Sequence, residues 1–354
     1  MSSYKYIKSK YILKIIFNNL TLKKGFQIVH YNKHIQKDLK LSLKDFKNYS
    51  EIELELIPKK PNRLKEFFIN PKPDDSKYFH IFFNNDKNET KRFYLKQNEN
   101  ITKIKIIIDY KVTSFSNLFN NCIILEQINF INFLRTNITD MSGMFQGCST
   151  LKNISFKNFK TSNVSLMNNM FNSCTTLDKI DLSLFETDNV IDMSWMFYGC
   201  KNLKKIINIS NINTTKVTNM SNMFSNCESL EELNLDKFDT HNVVDMNSMF
   251  LKCSSLNELD LYNFNTNLVI NMSWMFYKCS RINDLNLSNF NTSNVTDMNS
   301  MFSGCISLKN LNINKFSTND IADVYNMFSN CPKDLISKIK ENSNKIKFEA
   351  FIDN

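Results

Sequence analysis

The spacing of the cysteines constrains the fold of this chain more than any other feature. All nine cysteines recur at intervals of 26 residues, apart from one interval of 27 between Cys200 and Cys227. Methionines lie four and seven positions before most of them, and a phenylalanine lies three positions before each. A repeat of this length predicts a solenoid, because one unit cannot bury its apolar face without its neighbours.

Each unit predicts one short helix and one short strand. In the unit that ends at Cys148, two methionines, a phenylalanine and the cysteine fall at i, i+3, i+4 and i+7, which is typical of the apolar face of a helix. A glycine such as Gly147, directly before the cysteine, favours a left-handed residue where that helix ends. The following pattern L-x-x-L-x-L ends in the alternation of a strand, and the extra residue near 207–209 predicts a small bulge. The fold class is therefore an α/β repeat solenoid of about eight coils.

The first 103 residues differ from the repeats in charge and in pattern. Residues 1–110 carry 23 Lys and Arg against 12 Asp and Glu, whereas the rest of the chain carries 21 against 23. Helices are predicted for residues 10–40, and strands for residues 51–57, 77–83, 91–96 and 101–109. The expected regions are a helical element at 1–50, a β-rich cap at 51–103, the solenoid at 104–331 and a C-terminal cap at 332–354.

Residues 292–316, TSNVTDMNSMFSGCISLKNLNINKF, carry the pattern that fixes some ten positions in each unit. This pattern resembles the BspA-like leucine-rich repeats, and the resemblance covers about residues 104–331. It implies a leucine-rich-repeat solenoid used for binding, without catalytic residues. Many members of that family are cell-surface proteins, so a surface or adhesion protein is one alternative. The sequence has no visible signal peptide, lipidation motif or membrane span, which predicts a cytoplasmic protein with reduced thiols.

The N-terminal stretch YILKIIFNNLTLKKGFQIVHYNKHIQKDL also resembles an F-box, although the usual leading Leu-Pro is absent. F-box proteins often join this motif to leucine-rich repeats and act as substrate adaptors of cullin–RING ubiquitin ligases. The resemblance implies that the linker subunit of the ligase contacts Ile12, Ile15, Ile16, Phe17 and Leu20. The alternative is an amphipathic helix pair that caps the solenoid.

Motifs for metal binding and catalysis are weak in this sequence. One cysteine per coil does not offer the four converging ligands of a zinc site, and parallel side chains in register do not converge as a disulfide requires. The cysteines are therefore predicted to be small buried core side chains. His30 and His34 lie at i and i+4, but the Glu of an H-E-x-x-H motif and a third ligand are missing. We expect no enzyme, no cofactor and no small-molecule substrate.

Two surfaces are candidates for binding a protein partner of unknown identity. The first is the outward side of the predicted strands, with small polar residues at Asn129, Ser155, Asp181, Asn208, Asn234, Asp260, Asn286 and Asn312, and charged residues at Lys179, Lys205, Glu232 and Glu258. Such a charge pattern orients a partner, or it only keeps the strands soluble. The second consists of Trp195 and Trp274, which either anchor an interface or lie partly buried between coils. The basic N-terminal region interleaves lysines with acids, which favours a solvated surface over a nucleic-acid or membrane site.

Overall fold

The computed structural model describes residues 50–318, 322–342 and 346–352. These residues form an N-terminal β-sheet followed by a solenoid of stacked coils. Several predictions fall outside the described residues: the helices at residues 10–40, His30 and His34, and the F-box-like positions Ile12, Ile15, Ile16, Phe17 and Leu20.

Most strands of the N-terminal region alternate buried apolar residues with more exposed ones. Its strands are β1 (Ile52–Pro58), β2 (Lys65–Phe67), β3 (Phe79–Phe83), β4 (Tyr94–Lys96) and β5 (Ile104–Ile108), with a 3-10 helix at Pro73–Tyr78. On the outer side of β1, Glu53 pairs with Lys105 of β5 at 2.7 Å. This alternation is the pattern that predicts these strands; β3, β4 and β5 lie within the predicted segments, and β1 extends one residue beyond residue 57.

The sheet and the solenoid share a strand. The next strands along the chain are β6 (Leu125–Asn132) and β7 (Asn153–Phe156). The five-stranded sheet has the order β3-β5-β1-β6-β7, in which β6 is antiparallel to β1 and parallel to β7. The first coil of the solenoid is therefore covered by a sheet that continues its own hydrogen bonding, and the edge of β6 that faces away from β7 is paired with β1.

The prediction of a helix in each coil is wrong, because the Met-x-x-Met-Phe-x-x-Cys segments form successive tight turns. In one coil the amide of Cys148 donates to the carbonyl of Phe145 at 3.1 Å, three residues back rather than four. The amide of Phe145 instead donates to the carbonyl of Met170 in the next coil at 2.9 Å. Local and intercoil hydrogen bonds alternate in this way along the solenoid, so neighbouring coils are joined through their backbones.

Left-handed residues explain why turns form in place of helices. Two residues in each coil, five and one positions before the cysteine, have a positive φ; Asn222 and Asn226, for example, have φ of 57° and 59°. An α-helix requires φ near −63° at every residue, and its left-handed form costs an L-residue about 1–2 kcal/mol. The apolar side chains still point inward, and Met223, Phe224 and Cys227 are fully buried.

The strands on the opposite side of the coils are short and interrupted. They are β8 (Lys179–Asp181), β9 (Lys205–Ile207), β10 (Asp284–Asn286) and β11 (Asn310–Asn312), paired in parallel as β8–β9 and β10–β11. The coils around Leu233 and Leu259 run through this side without an assigned strand. The extra residue of the longer unit is accommodated by left-handed Asn208 and a 3-10 helix at Ile209–Asn211, at the place where a bulge was predicted.

The core consists of ladders of identical side chains. The phenylalanine rings stack at centroid distances such as 5.6 Å between Phe119 and Phe145 and 5.5 Å between Phe302 and Phe328. All nine cysteines are free and buried. From Cys148 onward, each cysteine thiol donates to the carbonyl of a phenylalanine in the coil before, as Cys148 does to Phe119 at 3.0 Å.

A second ladder is made by buried threonine hydroxyls. Thr240 is fully buried, and its hydroxyl donates to the carbonyl of Asn265 in the next coil at 2.8 Å while accepting the amide of the same residue at 2.7 Å. The same pair of bonds is made by Thr161, Thr214, Thr266 and Thr292. One side chain therefore satisfies two backbone groups of the next coil.

The C-terminal segment takes the place of a further coil. Helix α1 (Lys333–Asn342) is followed by a 3-10 helix at Phe348–Phe351. The ring of Phe351 stacks on Phe328 at 5.3 Å, and the amide of Lys347 donates to the hydroxyl of Thr318 at 3.0 Å. Among the described residues, no helix combines the length and the apolar composition that crossing a bilayer requires.

Candidate functional site

The outward row on the strand side has a role in chain geometry. Most of these side chains are exposed, whereas Asn129 and Asn312 are half-buried. The side-chain oxygen of Asp260 accepts the amide of Tyr262 at 2.9 Å, and Asn234 accepts an amide two residues on in the same way. The same contact is made by Asp181, Asn286 and Asn312. Such contacts stabilise the turn after the strand, so a polar row is expected with or without a partner.

The extra residue interrupts this row. In the register of β8 and β9, Asp181 lies opposite Ile207, and Asn208 follows one position later. The amide of the Asn208 side chain returns to donate to the Asp181 carboxylate at 3.0 Å. The row is therefore two segments joined by a side-chain hydrogen bond.

The charged residues beside this row are partly neutralised by one another. Lys179, Lys205, Glu232 and Glu258 are all exposed, and Lys205 pairs with Glu232 of the next coil at 3.2 Å. Exposed pairs of this kind contribute roughly 0–1 kcal/mol. Because Lys205 and Glu232 pair, the contrast in charge between neighbouring coils, which was expected to orient a partner, is weaker than the sequence indicates.

The buried position of the cysteine ladder makes its thiols unreactive at physiological pH. Burial raises the pKa of Cys148, Cys200 and Cys253 to about 12, so these thiols are neutral at physiological pH. The thiolate, rather than the thiol, is the nucleophile and metal ligand. No group of three or more His, Cys, Asp and Glu side chains converges within residues 50–318, 322–342 and 346–352.

Two coils carry a pair of aromatic side chains on the turn face, the surface formed by residues 194–201 and the equivalent positions of the other coils. Trp195 packs against Tyr198 with ring centroids 4.5 Å apart, and Trp274 packs against Tyr277 at 5.0 Å. Trp274 is 40% exposed, whereas Trp195 is half-buried. We name these contacts the aromatic pairs.

Both tryptophans have a left-handed backbone. Trp195 has a φ of 59° and Trp274 a φ of 61°. The equivalent residues of the other coils are small or amide-bearing and have a positive φ too: Asn117, Gly143, Asn169, Asn222, Ser248, Ser300 and Asn326. A bulky side chain at such a position is an outlier that costs about 1–3 kcal/mol. Sequence periodicity singled out the two tryptophans, but it could not indicate this strain because a helix had been predicted there.

The two coils between the aromatic pairs carry smaller side chains at the same positions, including the half-buried Leu251 in place of a tyrosine. Asn222, Ser225 and Ser248 are buried there, at the positions that Trp and Tyr occupy in the coils on either side. The tryptophans are three coils apart, which corresponds to about 14 Å at the spacing of neighbouring strands. The aromatic pairs therefore lie on either side of two coils that carry no aromatic side chain at these positions.

Comparisons with solved structures give low superposition scores. The chain is similar to a leucine-rich repeat protein of T. pallidum, with 16% identity, coverage of 79% of this chain and 100% of that chain, and a TM-score of 0.26. A leucine-rich repeat protein of Bacteroides ovatus has 14% identity, coverage of 71% and 88%, and a TM-score of 0.22. A leucine rich cell surface protein of Faecalibacterium prausnitzii has 13% identity, coverage of 72% and 97%, and the same score. Scores this low support no conclusion about function.

A family model matches the repeats themselves. No curated protein matches the chain. The family described as "Mycoplasma protein of unknown function, DUF285" matches three times, at residues 113–231, 202–286 and 260–347. These overlapping matches cover more than half of the 354 residues and nearly all of the coils. The chain therefore belongs to the DUF285 family of proteins of unknown function.

Proposed function

We propose that this chain is a non-enzymatic solenoid that recognises another protein through its turn face. The observation that carries the proposal is the pair of tryptophans, Trp195 and Trp274, held in left-handed backbone while remaining accessible to solvent. Strain of this kind persists where function requires it, and exposed tryptophan and tyrosine are the side chains that most often anchor protein interfaces.

The turn face suits this role better than the outward row on the strand side. In that row the oxygens of Asn234 and Asp260 accept backbone amides, and Lys205 is paired with Glu232. Each of those residues has a reason to be present without a partner. The aromatic pairs have no comparable role in the fold, since seven other coils form the same turn with Asn, Gly or Ser.

The test is to replace both tryptophans by asparagine, the residue that occupies this position as Asn222. Wild-type chain and the W195N/W274N variant are immobilised, and proteins captured from a lysate of the natural host are identified by mass spectrometry. We expect the variant to lose the specific partners. Its unfolding free energy should stay within about 1 kcal/mol of wild type, because relief of backbone strain offsets the lost ring contacts.

The matched control is Tyr262→Asn, which removes an aromatic ring that is 74% exposed but lies after the strand side of its coil. This variant should capture the same partners as wild type. Equal capture by W195N/W274N and wild type would contradict the proposal.

The alternative functions rest on the sequence alone. The substrate-adaptor prediction depends on Ile12, Ile15, Ile16, Phe17 and Leu20, which lie outside the described residues. It is tested by the same capture experiment with a chain that lacks residues 1–45: loss of a cullin linker subunit on truncation would support it. The cytoplasmic location and the surface-adhesion alternative also stay predictions.

A further inference from the structure

An open groove runs along the turn face beside the second aromatic pair. It has a volume of about 660 Å³ and extends across successive coils from Glu228 to Asn330. Tyr277 and Ile306 give it an apolar side, and Ile306 is 63% exposed. These two side chains offer an apolar contact in a groove that is otherwise lined mainly by polar residues.

Two lysines of this groove occupy strained positions. Lys252 and Lys278 both have a φ of 56°, and both lie directly before a cysteine. In other coils the equivalent residues are Asn121, Gly147, Ser173, Gly199, Asn226, Gly304 and Asn330. A lysine is disfavoured in this conformation, because only Gly and, to a lesser degree, Asn and Asp adopt it readily.

The two lysines also carry like charges on neighbouring coils. They stand at equivalent positions of consecutive coils, which places their backbones about 4.8 Å apart, and like charges directly across a ladder are destabilising. Within the part of the chain that the structure describes, neither ammonium has a carboxylate at ion-pair distance. Strain and repulsion at the same two residues are costs that the fold alone does not explain.

The position of Lys278 is set by its neighbours. A Cβ atom at Gly304 would lie 2.8 Å from Cγ of Lys278, so the absence of a side chain there makes room for the lysine stem. The ammonium of Lys278 lies 5.1 Å from the centroid of the Tyr277 ring. The charge is therefore held beside the apolar side of the groove.

The groove is positively charged in its middle part, at Lys252 and Lys278. Arg281 follows directly after the lining residue Ser280 and is exposed. The carboxylate that lines the groove, Glu228, lies at one end and is 3.6 Å from the ammonium of Lys201. A ligand with negative charge in the middle and none at the Glu228 end would match this distribution.

We propose that this groove binds an acidic segment of the partner protein, with its carboxylates on Lys252 and Lys278 and an apolar side chain between Tyr277 and Ile306. The inference rests on the proposed function, because it names the chemistry of the partner at the turn face. Bound carboxylates relieve the repulsion between the lysines. A nucleic acid fits less well, since its continuous phosphates would meet Glu228.

The experiment selects ligands from a random peptide library displayed on phage, using the full-length chain as bait. Selected peptides should be enriched in Asp and Glu together with apolar residues. Their affinity, measured by fluorescence anisotropy, should fall at least about tenfold for K252N/K278N, which places at both positions the residue found at Asn226. The control K179N/K205N removes the same charge from the strand side and should change the affinity less than about twofold.

A second pair of variants tests the lysine geometry at constant charge. Gly304→Ala and Gly199→Ala both place a side chain at a left-handed position, with φ of 76° and 67°. At Gly199 the new Cβ would meet Ser173 at an ordinary distance of 3.4 Å, whereas at Gly304 it would displace Lys278. We expect Gly304→Ala to weaken peptide binding severalfold and Gly199→Ala to leave it unchanged.

Three outcomes would overturn the proposal. These are the absence of enriched peptides, enrichment of basic or uncharged peptides, and undiminished affinity of acidic peptides for K252N/K278N. If a single-stranded oligonucleotide bound more tightly than any peptide, and did so through the two lysines, the ligand of the groove would be a nucleic acid and not an acidic segment. If the selected peptides lack acidic residues but their binding depends on Trp274, the proposal that the turn face recognises a protein is supported. The proposal that the partner segment is acidic is then wrong.

Discussion

The cysteine thiols act as hydrogen-bond donors as well as core side chains. The carbonyl of Phe145 accepts the amide of Cys148 at 3.1 Å and also the thiol of Cys174 at 3.2 Å. An alanine would leave this second acceptor site of a buried carbonyl empty, and a serine would carry a more polar group into the core. The burial of the cysteines follows from their period. Their donor role could not be predicted, because it depends on which carbonyl lies one coil away.

The raised thiol pKa values predict an alkaline limit to stability. Burial raises the pKa of Cys200 from 9.0 to about 12, so unfolding releases a proton between these values. A folded-state pKa above the unfolded one gives stability that is complete below pH 9 and is lost as the pH rises towards 12. We expect Cys200→Ala to reduce the slope of unfolding free energy against pH in this range by about 1.4 kcal/mol per pH unit. Urea titrations at several pH values measure the slope.

The control for this prediction is Met196→Leu, a buried and non-titrating change in the same coil. It should shift the free energy of unfolding at every pH without changing the slope. An unchanged slope for Cys200→Ala would mean that this thiol ionises as readily in the folded chain as in the unfolded one.

At the scale of the element, turns and helices can bury the same residues. Apolar side chains at i, i+3, i+4 and i+7 face one way in a helix, and they also face one way when left-handed residues turn the chain. The sequence contains a signal that distinguishes turns from a helix. Asn222 and Asn226 lie at positions that would be inside a helix, where asparagine is unfavourable. The strands of the N-terminal sheet were predictable from their alternation, but their order was not, because pairing between distant strands leaves no trace in a local period.

A pair of substitutions at Ser248 distinguishes a left-handed turn from a helix, because the two structures predict opposite orders of stability for the two variants. Ser248 is buried and has a φ of 55°. In a left-handed turn, Ser248→Gly should be more stable than Ser248→Ala by about 1 kcal/mol, because glycine tolerates a positive φ. In a helix the order would be reversed by a similar amount. Both variants lose the same hydroxyl, so their difference in thermal or urea unfolding isolates the backbone conformation.

The whole molecule is a stack that is covered at both ends of the described region. At one end the sheet of β3, β5 and β1 continues into the coils through β6. At the other, Phe351 extends the phenylalanine stack beyond Phe328. In a solenoid each coil is stabilised mainly by its neighbours, so an uncovered end frays. The sequence predicted the repeats, but it could not predict that a phenylalanine outside the repeat pattern completes their core.

Removing the last ring should loosen the nearest coil only. We expect Phe351→Ala to lower the protection of amides around Phe328 by about 2 kcal/mol and to leave those around Phe197 unchanged, as measured by hydrogen exchange. The control is Phe348→Ala in the same 3-10 helix, where the ring is 73% exposed and should contribute little. A uniform loss of protection along the solenoid would instead indicate that all coils unfold as one unit.

Because local and intercoil hydrogen bonds alternate, equivalent positions along the solenoid are separated by a fixed distance per coil. Because every coil bonds to its neighbours through the same backbone groups, the distance between Trp195 and Trp274 is a whole number of coils, now three. Inserting one 26-residue unit between them would separate the tryptophans by about a further 4.8 Å while leaving each in an unchanged local setting. Relatives with a different number of coils between these positions would present them at separations that differ in steps of that size, and would therefore fit different partners.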